Sequence, residues 1–227
     1  MILKKLIARY KRLKYNRAIS DKSIENRFNN IYRKGLWDGK GQSKSGAGST
    51  LESTENIRKM LPEFLSQFEA KSLVDLGCGD FYWMKEVPLP CEYIGLDIVL
   101  DVIEQNKKQY GSNKRTFLHH NAIEDDLPES TDVVLCREVL FHLSFEDGLE
   151  VLKKVAVSNA RYFLATTSDI SENEKNIRTG QFRNINLLIP PYNLPPCVDK
   201  WVDSSSISND RYIGIWKVAD MRKSIIA

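Results

Sequence analysis

The run Val74-Asp75-Leu76-Gly77-Cys78-Gly79-Asp80 constrains this chain more than any other feature of its sequence. Residues 72–76 are apolar enough for a buried strand. Two glycines follow at once, where the backbone can turn tightly and approach a ligand without a β-carbon in the way. In an open α/β sheet, such a turn at the carboxyl end of a strand is where ligands bind. Four more short apolar runs come after it, at 93–98, 116–119, 132–136 and 162–166, with helical stretches between most of them. That alternation predicts a parallel sheet with helices on both faces. Past the prolines at 190, 191, 195 and 196, two β-like runs at 198–202 and 212–218 have no clear helix between them. A closing antiparallel hairpin fits that pattern.

Three regions are expected along the chain. Residues 1–34 form a basic, amphipathic helical extension, 35–50 a loop rich in glycine and serine, and 51–227 the main domain. Ser49 is expected to cap a helix, with Glu52 three residues on, that runs through Met60 and past Pro62. Ser144 and Asp147 form a second capping pair, before Leu149, Leu152 and Val155. The extension carries Lys4, Lys5, Arg9, Lys11, Arg12, Lys14 and Arg17, with no acid before Asp21. Ile2, Leu3, Leu6, Ile7, Tyr10 and Leu13 recur at helical spacing, so residues 1–19 have one apolar and one basic face. Such a helix suits peripheral contact with an anionic membrane. Its apolar face suits packing on the domain or on a partner subunit equally well.

Composition excludes other classes. A formal net charge of +3 is too small to imply nucleic-acid binding. The four cysteines (Cys78, Cys91, Cys136, Cys197) lack metal-site or CxxC spacing, so reduced thiols, no metal and a cytoplasmic location are expected. No apolar run approaches the roughly 20 residues that span a bilayer, and charges interrupt the first segment where a secretory signal would lie.

Two features separate this turn from a dinucleotide site. Asp75 stands before the first glycine, and Gly77 and Gly79 are followed by Phe81 and Tyr82 rather than by a third glycine. An acid there can accept from an ammonium group. Asp97 ends the second strand and can take both hydroxyls of a ribose. With VDLGCGD (74–80), YIGLDI (93–98), HHNAIEDDLP (119–128) and DVVLCREVLFHLS (132–144), the chain resembles the class I S-adenosylmethionine (SAM)-dependent methyltransferase family over about residues 50–220. Within it, SKSGAGSTLEST (43–54), GDFYWM (79–84) and TGQFRNINLLIPPYNLP (179–195) resemble a bacterial subgroup associated with surface-polysaccharide (capsule and O-antigen) genes. The resemblance implies a Rossmann-like α/β fold and SAM as cofactor. It implies that Asp75, Gly77 and Gly79 hold the methionine end, Asp97 the ribose, and Asn121 with the Ala122 backbone the adenine, with Cys78 and Ile98 also among the cofactor-binding residues. The family commonly has Asp where Asn121 stands; Asn keeps an acceptor oxygen for the adenine amino group.

The acceptor side is expected at the end of the fourth strand. Arg137, Glu138 and His142 are the catalytic candidates there, with Arg137 also beside the cofactor. His142 follows Glu138 by one turn on the same helical face, as a candidate general base, and Glu138 is placed either to orient it or to pair with Arg137. Ser45 and Ser49 of the loop, Trp83, and Arg178, Arg183 and Asn186 are the expected acceptor-binding residues. Two arginines and an anion-binding loop favour an acidic or phosphorylated sugar as acceptor. The expected activity is O-methylation of a small-molecule or glycan acceptor in surface-polysaccharide synthesis. The alternatives are N-methylation of a small metabolite or protein, and a non-catalytic SAM-binding protein at the inner face of the membrane.

Overall fold

The computed structural model describes residues 2–38, 41–173, 175–203 and 210–226, with side chains from Arg9 onward. Seven strands among these residues form one sheet: β1 Ser72–Leu76, β2 Glu92–Asp97, β3 Arg115–His119, β4 Val133–Cys136, β5 Tyr162–Ser168, β6 Asp199–Val202 and β7 Arg211–Lys217. Their spatial order is β3-β2-β1-β4-β5-β7-β6. The first five are parallel, whereas β7 runs antiparallel to both β5 and β6. The expected hairpin is present, and its second strand is the one that inserts against the parallel sheet. Strand order reverses between β1 and β4, so a crevice opens above their carboxyl ends.

Six helices among the described residues surround the sheet: α1 Ile2–Ala18, α2 Ile24–Arg33, α3 Glu55–Gln67, α4 Leu100–Tyr110, α5 Phe145–Val157 and α6 Val218–Ile225. Residues alternate between two apolar clusters along each central strand, as a sheet covered on both faces requires. Val74, Val134, Phe163 and Ala165 pack with Leu152 and Val155 of α5 and Met221 of α6. Leu73, Val133, Leu135 and Leu164 pack with Ile57, Leu61 and Leu65 of α3 and Ile103 of α4. Ser144 caps α5 by accepting from the Asp147 N–H at 3.1 Å. The cap expected at Ser49 is not where a helix begins. Ala47–Ser49 is a 3-10 turn, and α3 starts at Glu55 after Thr54, because the Thr50 hydroxyl and carbonyl draw Ser53 and Thr54 into a turn of their own.

The extension consists of α1 and α2. Tyr10 and Leu13 of the expected apolar face are exposed, at 68% and 58%. The side chains of Ile2, Leu3, Leu6 and Ile7 lie outside the described residues. The carboxyl end of α1 turns inward instead, burying Ala18 and Ile19.

An ion pair ties the end of β4 to the far edge of the sheet. Arg137 Nε donates to Asp203 Oδ1 at 2.8 Å, with both side chains buried. Its Nη1 donates to the Gly48 carbonyl (2.8 Å) and its Nη2 to that of Ser53 (3.4 Å). Asp203→Ala should therefore destabilise the fold by about 3–5 kcal/mol, since it leaves a buried guanidinium without its counter-charge. Urea unfolding checks this; a loss below about 1 kcal/mol, the range of exposed pairs, would contradict the assignment.

Candidate active site

Above the carboxyl ends of β1, β2 and β4 lies a cavity of about 470 Å³. That is within the roughly 300–1,000 Å³ of ordinary small-molecule sites. The strand ends and the loop after β3 supply its floor, with Asp75, Gly77, Cys78, Asp97, Ile98, Asn121 and Ala122. Residues 45–49, the two N-terminal helices (through Tyr15, Ile24, Phe28 and Tyr32) and Trp37 after them cover it.

The turn after β1 is fixed by β2. Leu96 O accepts from the N–H groups of Gly77 (2.8 Å) and Cys78 (3.0 Å), and Asp97 Oδ2 accepts from Gly79 N–H at 2.9 Å. These three amides point back into the sheet, so the turn offers no open cradle for a pyrophosphate. Gly77 and Gly79 both have positive φ, 79° and 57°. The space a β-carbon would need is filled by protein: Val139 lies 2.4 Å from that position at Gly77, and Ser45 Oγ 2.2 Å at Gly79. The glycines admit neighbouring chain there, where the sequence pointed to a ligand. Asp97 is 8% exposed; its Oδ1 accepts from Val99 N–H at 2.9 Å. Asp75 is 4% exposed and accepts from the Tyr93 hydroxyl at 2.7 Å. Burial raises its carboxyl to about 7, against the lowering effect of Tyr93. Asn121 Oδ1 accepts from Ile123 N–H at 3.1 Å, so one of its two acceptor positions is spent locally.

The serine-rich loop already holds an anion, and that anion is Asp80. Its carboxylate accepts from the hydroxyls of Ser43 (3.0 Å) and Ser45 (3.1 Å) and from Lys44 N–H (2.7 Å). Ser45 Oγ also meets the Tyr32 hydroxyl at 2.7 Å. Ser45 and Ser49 line the cavity. The nest expected to bind an acidic acceptor is occupied from within, which locks the loop onto the β1 turn.

Beyond β4 the geometry departs from the expected helical face. Glu138 has φ of 61°, and Leu140–His142 is a 3-10 turn rather than the start of a helix. The Glu138 N–H donates to Thr166 Oγ1 at 2.9 Å. Its carboxylate pairs with Arg211 of β7 at 3.3 Å, and neither His142 nor Arg137 is its hydrogen-bonded partner. His142 Nδ1 lies 2.8 Å from Gln181 O and therefore carries the proton. Its ring stacks on Trp37 at 4.5 Å. Burial pushes this imidazole down to about 4, leaving a neutral ring that is a weak base at pH 7.

The structure brings Asp75, Gly77, Cys78, Asp97, Ile98, Asn121, Ala122, Arg137, Glu138, His142, Ser45, Ser49 and Trp83 to one cavity. Trp83 lies beneath the Arg137 guanidinium, 5.6 Å from its ring centroid. Gly79, Arg178, Arg183 and Asn186 do not line the cavity. Arg178 donates to the carbonyls of Ser20 and Asp21, tying its loop to the turn between α1 and α2. Arg183 is 2% exposed, stacked on Phe145 at 4.0 Å, and donates to the Tyr192 hydroxyl. Asn186 bridges Ile170 O and Leu188 N–H within its own loop. The sequence reading missed Arg211, Phe182 and the aromatic residues of the cap. A stripe at Ile24, Phe28, Ile31 and Tyr32 was visible as helical periodicity, and nothing local ties Arg211 to Glu138. Among the described residues, no group of His, Cys, Asp or Glu is placed to hold a metal ion.

Residues 74–162 match the family model described as a methyltransferase domain. No curated protein sequence matches the chain. Its fold is similar to that of human N-acetylserotonin methyltransferase solved with SAM: TM-score 0.57, 17% identity, covering 84% of this chain and 59% of that one. It thus spans less than two thirds of that enzyme's chain. It is also similar to a Burkholderia thailandensis 1,6-didemethyltoxoflavin N1-methyltransferase, solved with its acceptor and S-adenosylhomocysteine (TM-score 0.59, 12% identity, 85% and 86% covered). A third is the N-methyltransferase NodS of Bradyrhizobium japonicum WM9 (TM-score 0.52, 12% identity, 71% and 94% covered). These likenesses establish the class I methyltransferase fold.

Asp75 makes the ligand-free protein sensitive to pH. Its folded carboxyl titrates near 7 against an ordinary value of 3.8, so between these values the native state holds the extra proton. Stability contributed by this group falls as pH rises from about 4 to 7, by up to roughly 1.4 kcal/mol per pH unit. Asp75→Asn should remove that slope, so the variant gains stability relative to the parent between pH 5 and 8. Urea unfolding of both proteins at the two pH values measures it; parallel pH profiles would refute a buried, raised Asp75.

Proposed function

We propose that this chain is a SAM-dependent methyltransferase acting on a small-molecule acceptor. One observation carries the reading: two buried carboxylates, Asp75 and Asp97, face a cavity whose turn amides are all directed away from it. That donor set fits a ligand with a cationic end and a ribose, and it does not fit a pyrophosphate. When bound, SAM supplies an electrophilic methyl group on a sulfonium, open to in-line displacement. Asp75 takes the cationic methionine end, and in doing so keeps its carboxylate ionised. Asp97 stays fixed by Gly79 and Val99 while its remaining lone pairs accept the ribose hydroxyls. Ile98, Ala122 and Asn121 flank the adenine. The cap of α1 and α2 excludes water, so that most of the acceleration comes from positioning.

Nothing in the cavity selects oxygen over nitrogen in advance. A phosphorylated sugar, the acceptor expected from the sequence, finds less support than an uncharged one, because Arg137 and Arg211 are both paired and the serine loop is filled by Asp80. The surface-polysaccharide association rests on sequence resemblance alone. Peripheral membrane attachment is a separate proposal, supported by exposed Tyr10 and Leu13 beside exposed Arg9, Lys11, Arg12 and Lys14. Full-length protein should then bind anionic vesicles and release as salt rises. Equal vesicle binding after deletion of residues 1–14 would remove that proposal. No helix among the described residues is long and apolar enough to cross a membrane.

The cofactor assignment is tested at Asp97. Asp97→Ala should weaken S-adenosylhomocysteine binding by roughly 2–4 kcal/mol, from the loss of two charge-assisted hydrogen bonds. Calorimetry on a folded variant reads it directly, and unchanged affinity would remove the ribose role. Transfer of labelled methyl from SAM separates an enzyme from a non-catalytic binder.

A further inference from the structure

The cavity has two halves, set by the order of the strands. The carboxylates of Asp75 and Asp97 stand over β1 and β2, on one side of the reversal point. The other side, over β4 and β7, is walled by aromatic rings and by the Glu138–Arg211 pair. We propose that this second half is an acceptor chamber for an uncharged aromatic molecule, which presents a hydroxyl or ring N–H to the Glu138 carboxylate. The inference rests on the methyltransferase reading and deepens it.

Shape argues first. Trp37 and His142 stack at 4.5 Å with an interplanar angle of 25°. Phe28 lies 5.8 Å from Trp37, and Phe182 meets Phe141 edge-on at 5.1 Å. Rings in this arrangement favour a flat ligand, which can stack or meet an edge, over a puckered, heavily hydrated one.

Charge argues second. The cavity is lined by three carboxylates (Asp75, Asp97, Glu138) and two guanidinium groups (Arg137, Arg211). Arg137 donates to Asp203 and two carbonyls, and Arg211 to Glu138 and Asn184 through its terminal nitrogens, while its buried Nε has no hydrogen-bond partner among the described residues. The Arg211 guanidinium also lies over the rings of Phe141 (5.0 Å) and Phe182 (5.1 Å). An incoming phosphate would compete with these pairs, and would meet the Glu138 carboxylate at the same place.

Glu138 itself argues third. A non-glycine residue with φ of 61° carries about 1–2 kcal/mol of backbone strain. Strain of this kind persists where the surroundings impose it and is concentrated at functional sites. Here the Glu138 N–H is held by Thr166, and the carboxylate lies close against Gly48, where a β-carbon would sit 2.5 Å from Oε2. Burial raises the Glu138 carboxyl, Arg137 and Arg211 pull it down, and Asp203 pushes it up. A carboxylate raised in this way is a better proton acceptor. His142, neutral in the same wall, contributes a stacking face.

The step balances without a further reactant. As the acceptor oxygen forms its bond to the methyl carbon, the carbon–sulfur bond breaks and sulfur keeps the electron pair as a thioether. The hydroxyl proton passes to Glu138 and from there to solvent.

The experiment uses the full chain with 2-naphthol and 2-naphthyl phosphate as probes. Calorimetry with S-adenosylhomocysteine comes first; no binding there sinks the methyltransferase reading itself, whatever the probes do. On the loaded protein, 2-naphthol should bind at least about tenfold more tightly than its phosphate. Trp37→Ala should weaken 2-naphthol about tenfold at unchanged S-adenosylhomocysteine affinity. Equal or tighter binding of the phosphate, no 2-naphthol binding at millimolar concentration, or indifference to Trp37→Ala overturns the chamber. With SAM, methyl transfer to 2-naphthol should fall about 10²–10⁴-fold in Glu138→Gln and lose its acidic limb, at unchanged S-adenosylhomocysteine affinity. Full turnover in that variant, or no transfer to bound 2-naphthol by the parent, overturns the role of Glu138.

Discussion

The Asp80 carboxylate joins the two parts of the molecule that make the cavity. It ends the turn after β1, and its partners Ser43, Lys44 and Ser45 come from a loop before the sheet begins. Hydrogen bonds to a charged acceptor each contribute about 1.5–3 kcal/mol, enough together to hold an otherwise polar loop in one place. Because Ser45 in turn meets Tyr32 of α2, the same carboxylate fixes the roof as well as the floor. Trp37 then reaches His142, and the Tyr15 hydroxyl donates to Gly180 O. The cap is thus attached at both ends of the cavity.

A second set of contacts fixes the other wall. Arg137 reaches from the end of β4 to Asp203 after β6, and to the carbonyls of Gly48 and Ser53. Glu138, the next residue, has a left-handed backbone and meets Arg211 at the start of β7. Two adjacent charged residues therefore serve two different strands. This depends on β7 lying antiparallel between β5 and β6, which brings Arg211 opposite Ser168 at the carboxyl end of the parallel sheet.

The two arginines that line this cavity are each paired with an acid of the protein, although the sequence led to an expected phosphorylated ligand. The loop that had the composition of an anion nest holds Asp80, and the arginine that had the position of a phosphate clamp, Arg183, is buried against Phe145 and Tyr192. Facing the interior are the carboxylates of Asp75, Asp97 and Glu138, and a set of rings. A buried carboxylate of this kind costs stability in the absence of a cation, a common bargain between fold and function.

The strands, their order of appearance, the Ser144 cap and the turn at Gly77 and Gly79 were legible in the sequence, because each rests on a local rule. Apolar period, turn residues and caps act over a few residues, and nothing distant competes with them. The positions of Asp75 and Asp97 were legible for the same reason, since each stands at the end of a recognisable strand. The helix start near Ser49 failed because Thr50 had a nearer use for its hydroxyl. Tertiary structure alone decided which arginine enters the cavity, that Glu138 turns from His142 to Arg211, and that the serine loop clamps Asp80. Those outcomes depend on contacts between residues far apart in the chain, made or refused by the folded sheet, and no local pattern records them.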